Sequence, residues 1–194
     1  MVSAIVSALA PGMTVIDVGA HIGYYTILFA KCVGPTGKVL SLEPFPANFA
    51  LLQKNIQLNE MKQVRTFATA VFSRASELTI SVPDDLSDSG NASVVHNRGT
   101  KQFQVSAITL DSLGSRPDFL KVDVEGAEYD VLLGGKETIA RSRPTMLIEL
   151  HHFDGDLASH PVPPLLTSWD YQIHWIDRFR MTSHILASPA REAP

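Results

Sequence analysis

The stretch Val15-Ile16-Asp17-Val18-Gly19-Ala20-His21-Ile22-Gly23 carries an apolar run straight into two glycines separated by three residues. The run, followed at once by a helical pattern from Ile22 to Val33, predicts a strand over Met13 to Val18 that turns into a helix. Glycine at such a turn permits tight backbone geometry and lets a ligand approach the main chain. The helix start adds unpaired N–H groups. The spacing is Asp-x-Gly-x-x-x-Gly with histidine at position 21, so the Gly-x-Gly-x-x-Gly fingerprint of dinucleotide binding is absent. A pyrophosphate wants bare helix-terminal amides. An acid leading into the loop, Asp17, suits an amino-acid ammonium group instead.

Outward from this turn the alternation continues. Lys38 to Glu43 is a second strand, and Glu43 closes it 20 residues after Gly23. A carboxylate there can accept hydrogen bonds from both ribose hydroxyls of an adenosine. Hydrogen bonds to a charged acceptor contribute about 1.5–3 kcal/mol. Either acid alone could be a helix cap or a solvated strand end; together, at two strand ends, they favour a ligand site. After Pro44, the residues Phe45, Phe49, Leu52 and Ile56 recur at steps of 4, 3 and 4, one face of a helix. Val64 to Phe72, Phe119 to Val124 and Thr145 to Leu150 read as further strands, and Ala127 to Ala140 as one helix. Near-continuous apolar strands separated by amphipathic helices predict an α/β fold with a parallel sheet covered on both faces. Tyr171 to Ile176 and His184 to Ala187 are joined too briefly for a crossover and should pair antiparallel at one sheet edge. Ser76 to Ile108 interrupts the pattern and reads as an inserted hairpin with a long polar tip, Asp84 to Lys101. Tips of this length are usually functional or mobile.

The chain has 194 residues, 45% hydrophobic, with a formal charge of −4. That suits one globular domain over residues 1–194 and argues against a disordered chain. It gives no basic excess to announce a nucleic-acid partner. Cys32 is the only cysteine, which excludes an intramolecular disulfide and any metal site of several cysteines. No apolar run approaches the roughly 18 residues that span a bilayer. Met1 to Ala10 has no basic residue before its apolar part and reads as a short amphipathic lead-in helix, so a cytoplasmic location is expected.

The signature Ile16-Asp17-Val18-Gly19-Ala20-His21-Ile22-Gly23-Tyr24-Tyr25-Thr26, with Glu43-Pro44, resembles the S-adenosylmethionine site of class I methyltransferases. Thr109-Leu110-Asp111-Ser112-Leu113, Leu120-Lys121-Val122-Asp123-Val124-Glu125-Gly126-Ala127-Glu128 and Arg143-Pro144-Thr145-Met146-Leu147-Ile148-Glu149-Leu150-His151 narrow the match. Together these are similar to the FkbM family of methyltransferases, over nearly the whole chain. The resemblance implies a Rossmann-like, mostly parallel seven-stranded sheet with an antiparallel terminal hairpin. It also implies methyl transfer, usually to a hydroxyl oxygen of a sugar, polyketide or other small metabolite. Asp17, Gly19, Ala20, His21, Gly23, Thr26, Glu43 and Pro44 would then bind S-adenosyl-L-methionine. Longer members carry substrate-covering elements ahead of the first strand, where this chain is short. The rival readings are a nicotinamide-dependent oxidoreductase, which the glycine spacing disfavours, and a protein of this fold that binds the cofactor without transferring its methyl group.

Ligands of open parallel sheets bind beyond the carboxyl ends of the strands. Asp123 and Glu125 follow the fourth strand, and Glu149, His151 and His152 end the fifth. Asp123 is the first candidate for the reacting centre, with a helix cap as its plainer role. Glu125 serves the helix start or the substrate. His151 lies on the face of Glu149 and is a residue type matched to proton transfer near neutrality. Glu128 reads as a first-turn helix residue, and Lys121 as facing the opposite side or a carboxylate partner. Asp123, Glu125, Glu149 and His151 could also gather a divalent ion, but no fixed ligand spacing supports one, and no metal is assigned. His21 should contribute its backbone, and Asn91-Ala92-Ser93 should stay unmodified.

Overall fold

The computed structural model describes residues 2–82, 101–152 and 156–190. Its strands in chain order are β1 (Thr14–Val18), β2 (Lys38–Leu42), β3 (Val64–Phe67), β4 (Ala70–Val71), β5 (Ser76–Val82), β6 (Lys101–Ile108), β7 (Phe119–Val122), β8 (Thr145–His151), β9 (Tyr171–Arg178) and β10 (Thr182–Pro189). The helices are α1 (Val2–Ala8), α2 (Tyr24–Val33), α3 (Pro46–Leu58), α4 (Glu128–Leu133), α5 (Lys136–Ser142) and α6 (Val162–Ser168). Seven strands form the main sheet in the order β3-β2-β1-β7-β8-β10-β9. β10 runs antiparallel to both of its neighbours, and the other pairings are parallel.

Both faces of this sheet are apolar, as strands buried on two sides require. Val15, Val39, Phe119 and Leu147 point to one face and meet Ile5 of α1 and Phe29, Ala30 and Val33 of α2. Ile16, Leu40, Leu120 and Met146 point to the other and meet Val131, Leu132 and Ile139 of α4 and α5, with Leu166 of α6. The mostly parallel sheet and its antiparallel terminal hairpin agree with the expectation. Among the described residues no helix is long and apolar enough to cross a membrane.

Besides shifts of one or two residues at the ends of several elements, two local features differ from the reading of the sequence. The strand expected over Val64 to Phe72 divides: β3 stays in the main sheet, while β4 joins β5 and β6 in a separate three-stranded sheet. The helix expected over Ala127 to Ala140 breaks into α4 and α5 at Gly134-Gly135. A side chain at Gly134 would put its Cβ 2.1 Å from the carbonyl oxygen of Phe72, and one at Gly135 would meet Leu110 at 2.5 Å. The break therefore answers a close approach from elsewhere in the chain. Among the shifted ends, β8 runs on to His151, one residue past its expected end. The inserted hairpin is present as β5 and β6, whereas its tip from residue 83 to 100, with Asn91-Ala92-Ser93, lies outside the described residues.

Candidate functional site

Beyond the carboxyl end of β1 the chain turns through Gly19 and Gly23, both in the left-handed region with φ of 77° and 93°. A Cβ on Gly19 would lie 1.7 Å from the Asp123 carbonyl oxygen, so the loop packs directly on the end of β7. His21 shares the left-handed region (φ 51°), a strained position for a residue with a side chain. The loop's amides point inward. Gly19 and Ala20 both donate to the Leu42 carbonyl at 3.0 Å, His21 donates to Glu43 Oε2 at 2.8 Å, and Gly23 donates to the Ala20 carbonyl at 2.9 Å. These are the groups a dinucleotide site would present to a pyrophosphate, and here they are spent on the end of β2, on Glu43 and on the loop itself.

Glu43 sits just past β2 and is almost wholly buried. Its Oε1 accepts from the Phe45 amide at 3.0 Å, and its Oε2 accepts from His21. Burial pushes its carboxyl up to about 7, against the opposing pull of those two amides. The Asn48 side chain adds a third hydrogen bond to this carboxylate, and with about four lone-pair positions in all one remains for a donor from a ligand. Phe45, next in line, packs edge-on against Phe103 of β6 at 5.1 Å, which sets the small sheet beside Glu43-Pro44. Pro44 is half-buried at this junction.

A row of polar groups crosses the sheet under α2. Ser41, Asp17 and Lys121 are register partners on β2, β1 and β7. Thr26 of α2 donates to Asp17 Oδ2 at 2.6 Å, and Ser41 donates to the Thr26 hydroxyl at 3.1 Å. Lys121 Nζ lies 3.4 Å from Asp17 Oδ1 and 3.2 Å from Asp123 Oδ2, and it donates to the Gly19 carbonyl at 3.0 Å. Burial opposes the lysine's charge, but Asp123 and Asp17 outweigh it and raise the pKa. Asp17 itself has no accessible surface. With Thr26 and Lys121 on its carboxylate, it supports the loop from beneath.

At the ends of β7 and β8 a second group of charges converges. Asp123, Glu125 and His151 each bring one potential ligand atom within 4.8 Å of the others. His151 Nδ1 donates to Glu128 Oε1 at 2.8 Å, and its Nε2 lies 3.3 Å from Glu125 Oε1 and 3.8 Å from Glu149 Oε1. Burial disfavours the charged ring, yet Glu125 and Glu128 overcome it and raise the pKa to about 10. In this setting the ring favours donating to the carboxylates around it over accepting a proton. The donor set could hold a divalent cation. In the structure His151 and Lys121 supply the balancing positive charge. Burial also keeps the His21 ring below its ordinary pKa, although Asp123 pulls the other way.

Several expected residues thus meet at one end of the sheet: the glycine loop, Glu43, Asp123, Glu125 and His151. His152 does not join them, because its Nε2 turns to Ser183 at 3.0 Å. Sequence reasoning undervalued Lys121 and Glu128. A lysine alternating with buried Leu120 and Val122 needs a counter-charge, and that was the available signal. Glu128 does open α4 as a first-turn acid, but it is fully buried there, and its Oε1 also accepts from the Gly126 amide at 2.8 Å. His184 came unannounced; it lies 3.2 Å from Glu149 and 2.6 Å from Asp177.

Residues 17–176 match the Methyltransferase FkbM domain. The chain is similar to Methyltransferase 1 of Beauveria bassiana, at 28% identity over 170 residues, covering 75% of this chain and 67% of that protein. It is similar to Methyltransferase sdnD of Sordaria araneosa, at 27% identity, covering 63% of this chain and 60% of that one. Its fold matches the crystal structure of Methyltransferase FkbM from Methylobacillus flagellatus with a TM-score of 0.68 at 20% identity, over 91% of this chain and 43% of the other. The chain therefore spans only part of the length of each of these proteins.

Proposed function

Since the chain belongs to the FkbM methyltransferase family, we propose that it transfers the methyl group of S-adenosylmethionine to a hydroxyl oxygen of a small metabolite, such as a sugar or polyketide. The observation that carries this reading is the pairing of two sites at one sheet end. Inward-turned loop amides and a buried Glu43 suit an adenosine without a pyrophosphate. Half-buried Asp123 and Glu125 lie directly beside them, against Gly19 and His151. The charge of −4 supports a small-molecule acceptor over a nucleic acid.

When bound, S-adenosylmethionine supplies a methyl carbon that already carries a good leaving group. The protein's tasks are to align the acceptor oxygen and to take its proton. Alignment can supply about 7–11 kcal/mol of the barrier, and a positioned base roughly 10²–10⁴-fold in rate. Asp123 is assigned the proton, because its carboxylate is partly open, with 28% of the side chain exposed, and is aimed by Lys121. Glu125, clasped by the charged His151, orients the acceptor. Glu43 holds the ribose, and Gly19, Ala20, His21, Gly23 and Pro44 form the wall around it.

Calorimetry with S-adenosylhomocysteine and with NAD tests the cofactor. Micromolar binding of the former without comparable binding of the latter is expected, and the reverse order would overturn the reading. Labelled methyl transfer to a panel of hydroxyl-bearing sugars and polyketides, analysed for methyl ethers, tests the reaction; products methylated on nitrogen alone would refute the assignment to oxygen.

A further inference from the structure

Lys121 touches both halves of the site, and the reaction described above gives it no direct part. Its ammonium has three hydrogens, and three acceptors surround it: the Gly19 carbonyl at 3.0 Å, Asp123 at 3.2 Å and Asp17 at 3.4 Å. These acceptors belong to the glycine loop, the end of β7 and the end of β1. The lysine side chain is 5% exposed, and its ammonium lies 5.5 Å over the Tyr25 ring. A lysine is costly to bury unless its charge is paired and its hydrogens are used, and here both conditions are met by groups on either side of the cleft.

We propose that Lys121 is a positioning residue that couples the cofactor loop to the reacting centre, fixing the Gly19 carbonyl and the Asp123 carboxylate relative to each other. The inference rests on the reading of Gly19 as part of the cofactor site and Asp123 as the proton acceptor. A perturbation at either end is then felt at the other. Asp17, paired in register with Lys121 and fully buried, anchors the ammonium from below. Thr26 and Ser41 extend that anchor into α2 and β2.

The experiment is a double-mutant cycle read by S-adenosylhomocysteine affinity. Lys121→Met keeps the side-chain length without donors and should weaken binding by at least about tenfold, within the range that coupled sites show. Asp123→Asn alone cuts the same tie at its other end and should weaken binding by about three- to tenfold. The double variant should lose no more than Lys121→Met does, because the tie is already cut. Lys121→Arg keeps the charge but not the point geometry, so it should also weaken binding about tenfold and serves if the methionine variant does not fold. In ligand-free protein the Asp123 carboxyl and Gly19 carbonyl carbons should both shift in ¹³C spectra of Lys121→Arg. A merely structural lysine would lower the melting temperature of both variants and leave affinity within threefold. That result, strictly additive losses, or unmoved carbon resonances would overturn the proposal. Absence of binding by the unaltered protein would instead strike the cofactor reading, and the ¹³C comparison would still judge the tie.

Discussion

Burial pushes the Glu43 carboxyl up to about 7 from its ordinary 4.5, against the amide hydrogens of Phe45 and His21 that favour its charged form. Ribose hydroxyls donate, so they bind the ionised carboxylate, and affinity for S-adenosylhomocysteine should follow the ionised fraction. At about pH 6 roughly a tenth of the free protein carries that charge, and at about pH 8 roughly nine tenths does. Affinity drawn from the competent fraction alone weakens in proportion, so binding should be about tenfold weaker at the lower pH. Stability responds with its own sign. Between 4.5 and about 7 the folded chain holds a proton that the unfolded chain has released. Stability therefore falls as pH rises through that window and levels off above it, by about 3 kcal/mol in all. Glu43→Gln has no proton to exchange. Its affinity should be lower by about one to two orders of magnitude and flat across the same pH range. Histidines titrate nearby, so this variant is the control. A pH dependence of binding that survived in Glu43→Gln, or a flat profile in the unaltered protein, would refute the reasoning.

Asp123→Ala should lower single-turnover methyl transfer by at least about tenfold while changing S-adenosylhomocysteine affinity less than Glu43→Gln does. An aspartate that only capped α4 would instead cost about 0.5–2 kcal/mol of stability and leave the rate of the folded protein alone. Gly19→Ala places a methyl group against the Asp123 carbonyl at a positive φ. Urea denaturation should show a loss of at least about 2 kcal/mol, and cofactor binding should be abolished; an unchanged midpoint would refute the packing. Glu128→Ala leaves the buried His151 ring without its Nδ1 acceptor. Removing one partner of such a pair should cost about 3–5 kcal/mol, and a loss below about 1 kcal/mol in denaturant would show that the pair contributes little.

The parallel sheet was legible because each of its strands carries its own apolar run, and the glycine loop because backbone freedom is written in residue identity. Glu43 was legible from its distance to Gly23. What escaped was set across the chain. Gly134 and Gly135 are visible in the sequence, but the Phe72 carbonyl that requires the first is 62 positions away. The division between β3 and β4 falls inside an uninterrupted strand-like run, and the pairing of Ala70 and Val71 with Ala107 and Ile108 decides it. Glu128 was legible as a helix start because acids favour that position, but not as the buried partner of His151, which lies 23 positions away on β8. Charged pairs between elements follow register, and register is the last thing a single sequence discloses.

In the order of synthesis β9 emerges before β10, yet β10 is its neighbour in the sheet and separates it from β8. Only three residues join β9 to β10, so the two can pair as a local hairpin and then dock onto β8 through β10. The pairing of β10 with β8 is the non-local one, and such pairings form late; until it forms, the open edge of β8 is an aggregation hazard. His184, which reaches Glu149 from β10, then has a timing attached to it. The glycine loop can take shape early, but the far wall of the site closes only when the terminal hairpin docks.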